Sequence, residues 1–185
     1  MPKKAARPAR RSIATRKGDD GTTGLLYGQR VAKDHPQVET VGAIDELNAA
    51  LGVAKAAGKF RVPRATLDAI QRDLVALMGE VACAEKDAAR FAKSSFPRID
   101  ARALARLDQV LADVEGRQPA FDGWATPGKN APAAALDLAR TVARRAERRL
   151  VELRRHGRRV RPVALQYLNR LSDLLWILAR EAEGA

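Results

Sequence analysis

Residues 41–58 read VGAIDELNAALGVAKAAG, and Val41, Ile44, Leu47, Leu51 and Ala54 recur there every three or four positions. That is the period of a helix with one apolar face; Asn48 lies beside Leu47 on the same stripe. The pattern stops at Gly58 with Pro63 just beyond, as expected where a helix ends. The same period returns downstream. Leu67, Ile70, Leu74, Leu77, Val81 and Ala84 make a second stripe, and Leu104, Leu107, Leu111 and Val114 a third that stops at Gly116. A Gly/Pro-rich connection, FDGWATPGKNAP, leads to a fourth helix from about 132 to 156. The fifth runs from near Pro162 to the C-terminus with Leu168, Leu171, Leu175 and Leu178. Several stripes lie nearer a 3.5 than a 3.6 repeat, which suits antiparallel bundle packing. The expected fold is all-α: a five-helix up-and-down bundle, ferritin-like in class.

Composition agrees. The 185 residues are 46% hydrophobic but only 4% aromatic, and the apolar share is mostly Ala, Leu and Val. Ala and Leu are strong helix formers, while the β-branched and aromatic residues that favour sheets are scarce. The length suits one domain with a full core. No stretch approaches the roughly 18–20 apolar residues of a membrane span. A single cysteine, Cys83, excludes an internal disulfide and a Cys-based zinc site. With Cys83 near an apolar stripe, a core-filling role is expected, and a reducing, cytoplasmic setting fits.

Before the first helix the chain changes character. Residues 1–14 carry Lys3, Lys4, Arg7, Arg10 and Arg11 without an acid, and read as a disordered basic tail. Such a tail would also suit an organelle transit peptide, though it lacks the apolar centre of a secretory signal. Residues 15–39, TRKGDDGTTGLLYGQRVAKDHPQVE, show no helical period and read as an ordered Gly-rich loop opening the domain 15–185. Gly18, Gly21 and Gly24 recur every third residue, which lets backbone N–H groups approach a ligand closely. Thr hydroxyls add donors, and Lys33 lies near enough in sequence to complete a phosphate cradle; a tight surface turn explains the same residues. The segment is no Walker A loop, because no Gly-Lys-Ser/Thr follows the required spacer and no strand leads into it.

The net charge of +12 is uneven, since residues 140–161 carry ten Arg against Glu147 and Glu152. So much like charge on one segment calls for an anion. Arg140, Arg144 and Arg148 are four apart and share a face at about 6 Å intervals, a spacing that suits the phosphates of a triphosphate. Glu147 can hold Arg144 in place. The alternative is a solvated basic face. On the last helix, Asn169 and Asp173 fall beside the leucine stripe and should edge toward the interior, as cross-helix ties or site residues; Asp45, Glu46 and Asn48 pose the same question. His35 and His156 are the only histidines, and no triad, metal-ligand spacing or glycosidase-like carboxylate pair stands out. If the chain is an enzyme, its catalysis rests on positioning and electrostatics. Little aromatic interleaving and no DNA-reading motif argue against a nucleic-acid partner.

Taken in order, TRKGDDGTTGL, RVAKD, VGAIDELNAALG, ARTVARRAERRLVEL and YLNRLSDLLWILAR resemble the PduO-type ATP:cob(I)alamin adenosyltransferases, from Thr15 to about Arg180. The resemblance implies a five-helix bundle assembling as a homotrimer with sites between subunits, and transfer of the 5′-deoxyadenosyl group of ATP to cob(I)alamin. It implies that Thr15, Arg16, Lys17, Gly18, Thr23, Gly24 and Lys33 hold ATP with its Mg²⁺, completed by Arg144, Arg145, Glu147, Arg148 and Asn169. Asp45 would pair across the interface with Arg140, placing the corrinoid. Trp124 stands where the family has a Phe that keeps the lower axial ligand off cobalt, and Lys129 and Asn130 replace a Gly and a hydroxyl residue. Those departures motivate an alternative, a paralogue that binds ATP or corrinoid with little or no transfer. A reductase or an adenosylcobalamin-dependent enzyme would be the protein partner.

Overall fold

The computed structural model describes residues 14–119 and 124–184. The basic tail therefore lies outside the described residues, apart from Ala14. Five long helices carry the fold: α1 (Pro36–Ala57), α2 (Arg64–Val81), α4 (Ala101–Glu115), α5 (Ala131–Arg155) and α6 (Pro162–Glu183). Between α2 and α4 a 3₁₀ turn (Glu85–Asp87) runs into the five-residue helix α3 (Ala88–Ala92). The Gly-rich loop contains two three-residue strands, β1 (Thr22–Gly24) and β2 (Arg30–Ala32), paired antiparallel with Thr23 opposite Val31.

Helices α1, α4 and α5 each begin at a side-chain cap. His35 Nδ1 accepts from the Gln37 amide, with Pro36 in the first turn. The Asp100 carboxylate accepts from the Ala103 amide, and Asn130 Oδ1 from the Ala133 amide. These caps satisfy amides that the helix itself leaves unpaired. Asn130 does more, because its Nδ2 donates to the Ala182 carbonyl at the end of α6. Asn130→Ala is therefore expected to lower stability by about 1–2 kcal/mol, a cap plus a tertiary tie. A chemical denaturation curve of the variant checks this, and an unchanged midpoint would contradict it.

Helix α5 packs against both α1 and α6; α1 also packs on α2, and α6 on α4. Spatial order thus departs from chain order and runs α2, α1, α5, α6, α4, with α5 in the middle. The buried face of α5 suits that place. Ala133, Ala135, Ala139, Ala143 and Ala146 are all buried, and such small side chains let neighbouring helices approach closely. Glu39 pairs with Arg149 and Glu46 with Arg145, so α1 and α5 run antiparallel. The predicted stripes are the core: Ile44, Leu47, Leu51, Leu74, Leu168, Leu171 and Leu175 are fully buried. Two charged residues join them, Asp137 at 3% and Arg180 at 2% exposure.

Some expectations shift. Helix α1 begins at Pro36 rather than near Val41, because His35 and Pro36 form the cap. On α6 the expectation for Asn169 and Asp173 is overturned. Both are exposed, while Tyr167, Leu168, Leu171 and Ser172 take the interior. One residue is about 100° of rotation on a helix, enough to carry both polar groups outward. Asp45 and Glu46 are likewise exposed and Asn48 half-buried. None of the described helices is long and apolar enough to cross a membrane.

Candidate active site

The Gly-rich loop is held by its own side chains. Asp20 accepts from the Thr22 amide at 2.9 Å and the Thr22 hydroxyl at 2.8 Å. Arg30, arriving from β2, donates to the Lys17 carbonyl at 2.6 Å and to Asp20 at 3.3 Å, and also contacts the Thr22 hydroxyl. Arg16 sits at φ +56°, a left-handed conformation that costs a non-glycine residue about 1–2 kcal/mol. Strain of this kind persists only where surrounding bonds over-determine the backbone. Here the Arg16 carbonyl accepts from the Asp19 amide and the Gly18 carbonyl from the Gly21 amide. A Cβ added at Gly18 would stand 3.3 Å from Lys33 Cε and Nζ, so the missing side chain is what lets the ammonium lie against the loop. The structure thus brings Gly18 and Lys33 together. Thr15, Arg16 and Lys17 are exposed at the loop's outer edge.

The loop is fastened to the bundle at one end. Leu25 is buried, and the Leu26 amide donates to the Ala82 carbonyl at 2.9 Å. The Arg90 guanidinium lies 4.1 Å from the Tyr27 ring centroid. Gln37, buried at the start of α1, donates through Nε2 to the Val81 and Cys83 carbonyls. The short α3 segment therefore anchors the loop, though its five residues are too few to show a period. Arg30 was also missed. Its signal was its place across from Gly24 in a hairpin, which the reading of that stretch as an ordered loop without strands concealed. Cys83 is buried and its thiol is pushed above its ordinary pKa by desolvation, so it acts as a core filler.

Hydrogen bonds to Thr22, first from its amide and then from its hydroxyl, hold the Asp20 carboxyl below the usual carboxylate range. A group depressed in the folded state contributes order above its unfolded pKa and loses it as pH falls through the folded value. Protection of the Thr22 amide against hydrogen exchange is therefore expected to persist through the ordinary Asp range near ~3.9 and fail only in stronger acid. Loss of protection already at about pH 5 would contradict this. Asp20→Ala should abolish the protection at neutral pH while leaving the melting temperature unchanged.

The arginine ridge lies on α5. Arg144 and Arg148 are exposed one turn apart, and among the described residues neither has a bonded partner. The expected Glu147–Arg144 contact is not made; Glu147 instead lines an open depression with Arg145, Arg148, Arg149, Glu152 and Arg155. Arg145 pairs with Glu46, and Arg149 with Glu39 at 3.3 Å and Glu152 at 2.8 Å. Arg140 is half-buried and its Nε meets Asp137 at 3.3 Å. The ridge thus divides into paired arginines that bind α5 to α1 and unpaired ones facing outward. Asn169 is exposed on α6, its carbonyl accepting from the Ser172 hydroxyl and its side chain unbonded among the described residues, and Asp45 is exposed on α1. Trp124 is fully exposed in the loop before α5. Among the described residues no bond joins the stretch before α1, residues 15–35, to the arginines of α5. Among the described residues no group of three or more His, Cys, Asp or Glu could hold a metal ion. The apolar cavity of about 370 Å³ between α2 and α4, lined by Ile70, Asp73, Leu107 and Tyr167, contains none of these residues.

A family model for cobalamin adenosyltransferases matches residues 13–182. The chain is 44% identical over 174 residues to the corrinoid adenosyltransferase PduO of Salmonella typhimurium, and 43% over 169 residues to that of Citrobacter freundii. These alignments cover 94% and 91% of this chain but 50% and 49% of the relatives, so the chain spans about half their length. A cobalamin adenosyltransferase of Cupriavidus metallidurans is 40% identical over 169 residues, covering 91% of this chain and 86% of the relative. Among solved structures, a phenylalanine-to-alanine variant of the PduO-type ATP:corrinoid adenosyltransferase from Lactobacillus reuteri, complexed with cobalamin and ATP, is similar at TM-score 0.83 and 31% identity, covering 94% of both chains. An arginine-to-lysine variant from the same source, complexed with ATP, has TM-score 0.77 and 29% identity over 93% of this chain and 94% of that one. With a family match running from beside the Gly-rich loop to the end of α6, and with relatives at this identity, the protein belongs to the cobalamin adenosyltransferase family.

Proposed function

We propose that this chain transfers the 5′-deoxyadenosyl group of ATP to the cobalt of cob(I)alamin, releasing triphosphate. The observation that carries the reading is Arg144 and Arg148, exposed one turn apart on α5 with no bonded counter-ion among the described residues. Two such guanidiniums in register invite a polyanion. In the transfer a cobalt–carbon bond forms at C5′ while the C5′–oxygen bond breaks, its electron pair leaving with the triphosphate. The substrate brings the nucleophile, so the protein's task is to orient the two partners and neutralise the leaving group. Lys33 with Thr15, Arg16, Lys17, Gly18, Thr23 and Gly24 suits the phosphates on one side, and Arg144, Arg145, Glu147, Arg148 and Asn169 the other. Mg²⁺ would be held chiefly by the triphosphate and water, with at most one or two protein oxygens.

Because no bond among the described residues joins the stretch before α1 to the ridge, the reading places the site between copies, the loop of one facing the ridge of the next in a homotrimer. Asp45 then pairs with Arg140 of a neighbouring copy and seats the corrinoid, with Trp124 covering its lower face. Residues 15–185 act as one catalytic domain, with residues 1–14 as a tail. A strongly reducing nucleophile suits the cytoplasm and a reductase that delivers it, with an adenosylcobalamin-dependent enzyme as recipient. Incubation with ATP, Mg²⁺ and chemically reduced cobalamin should yield the light-sensitive adenosyl product; a persistent blank defeats the reading. The second reading, a binding paralogue, draws on Trp124 and Lys129; Asn130 no longer favours it, since that residue is occupied as a helix cap. Nucleotide binding without turnover would select it.

A further inference from the structure

Arg140 is not a free surface arginine. Its Nε donates to Asp137 Oδ1 at 3.3 Å, one helical turn back on α5. Asp137 in turn is 3% exposed, and its other oxygen, Oδ2, accepts from Arg180 Nη2 of α6 at 2.5 Å. The Arg180 side chain is 1% exposed, meets Glu183 at 3.1 Å and lies 5.7 Å from the Trp176 ring centroid. Two guanidiniums and two carboxylates alternate in this row, so the network is neutral as a whole. It runs from the core outward and ends on Arg140, whose side chain keeps 26% of its surface.

We infer that Asp137 and Arg180 are positioning residues that fix the guanidinium of Arg140 for the corrinoid. The argument is one of geometry and entropy. A surface arginine samples many rotamers, and a ligand that needs one of them must overcome that freedom. Here the fixing is done in advance, by a carboxylate that cannot move because both its surroundings and its second oxygen are committed. The bond also uses the right edge of the guanidinium. Engaging Nε leaves both Nη groups unbonded among the described residues, and these are the donors that a carboxylate or a corrinoid amide would meet. An exposed i,i+3 ion pair would give little such restraint; burial of Asp137 and its lock on Arg180 distinguish this one. The inference rests on the proposed role of Arg140 at the corrinoid.

The test replaces the buried pair together, as Asp137→Leu with Arg180→Met, since an apolar pair of similar volume generally preserves the fold where a lone charge would not. In parent protein labelled with ¹⁵N-arginine, the Arg140 Nε–H is expected to be ordered, unlike that of Arg144. In the folded double variant it should become more mobile than in the parent. The KM for cobalamin should rise roughly tenfold or more with the KM for ATP unchanged. An Arg140 signal as mobile as Arg144 in the parent overturns the inference without any variant. So does a folded double variant with parental KM for cobalamin, if Arg140→Ala in the same assay raises it. If Arg140→Ala leaves KM unchanged while the Nε order is lost in the double variant, the clamp stands and the assigned role of Arg140 falls.

Discussion

Arg144→Ala is expected to lower turnover by about 10²–10³-fold while leaving helical content and melting temperature at parental values. The two halves of that expectation have separate causes. Arg144 is exposed on α5 and bonds to nothing among the described residues, so its removal opens no cavity and strands no partner. Substitutions of that kind usually stay within about ±0.5 kcal/mol. Its charge, however, faces the place proposed for the departing triphosphate, where negative charge grows as the C5′–oxygen bond breaks. Donors aimed at developing charge act mainly on kcat rather than on ground-state binding. Arg144→Lys is expected to recover only part of the rate, since an ammonium lacks the planar fork that grips a phosphate at two oxygens. Single-turnover formation of adenosylcobalamin, measured beside circular dichroism, checks both halves. A parental rate would remove Arg144 from the site.

The opposite pattern is expected of Arg180→Ala, which should lower stability by about 3–5 kcal/mol. Asp137 stays behind at 3% exposure with its strongest partner gone, and Arg140 at its edge is too solvated to replace it. A buried, uncompensated carboxylate is among the few single changes that cost so much. For a chain of this size the melting temperature should fall on the order of 10 °C. A calorimetric scan showing a shift of a degree or two would mean that solvent reaches Asp137. The contrast with the paired apolar replacement separates the two roles of the network, since removing one charge harms the fold and removing both loosens only Arg140.

The helices were legible because each long one carries its own record. Leu67, Ile70, Leu74, Leu77 and Val81 announce α2 by spacing alone, and Leu168, Leu171, Leu175 and Leu178 announce α6. The loop was legible as an ordered segment from Gly18, Gly21 and Gly24 among threonines and charges, and the ridge from Arg140, Arg144 and Arg148 at intervals of four. What failed was finer than one residue of helical rotation. Asn169 and Asp173 flank the leucine stripe in sequence, yet the packing of α6 against both α4 and α5 turned them outward. The helix α3 escaped because five residues cannot display a period, and Arg30 because its partners lie 8–13 residues away.

Local spacing, end signals and charge placement were written along the chain, since each depends on residues within a turn or two of one another. These were enough for the class of fold, the residues of the loop and the cationic face of α5. Which arginines of that face are committed and which remain open depended on α1 and α6 arriving beside it. Arg145 and Arg149 are taken by Glu46 and Glu39 of α1, Asp137 is locked by Arg180 across 43 residues of sequence, and Arg144 and Arg148 are left unpaired. Such pairings answer to distances between helices, and no pattern of neighbours along a chain records those.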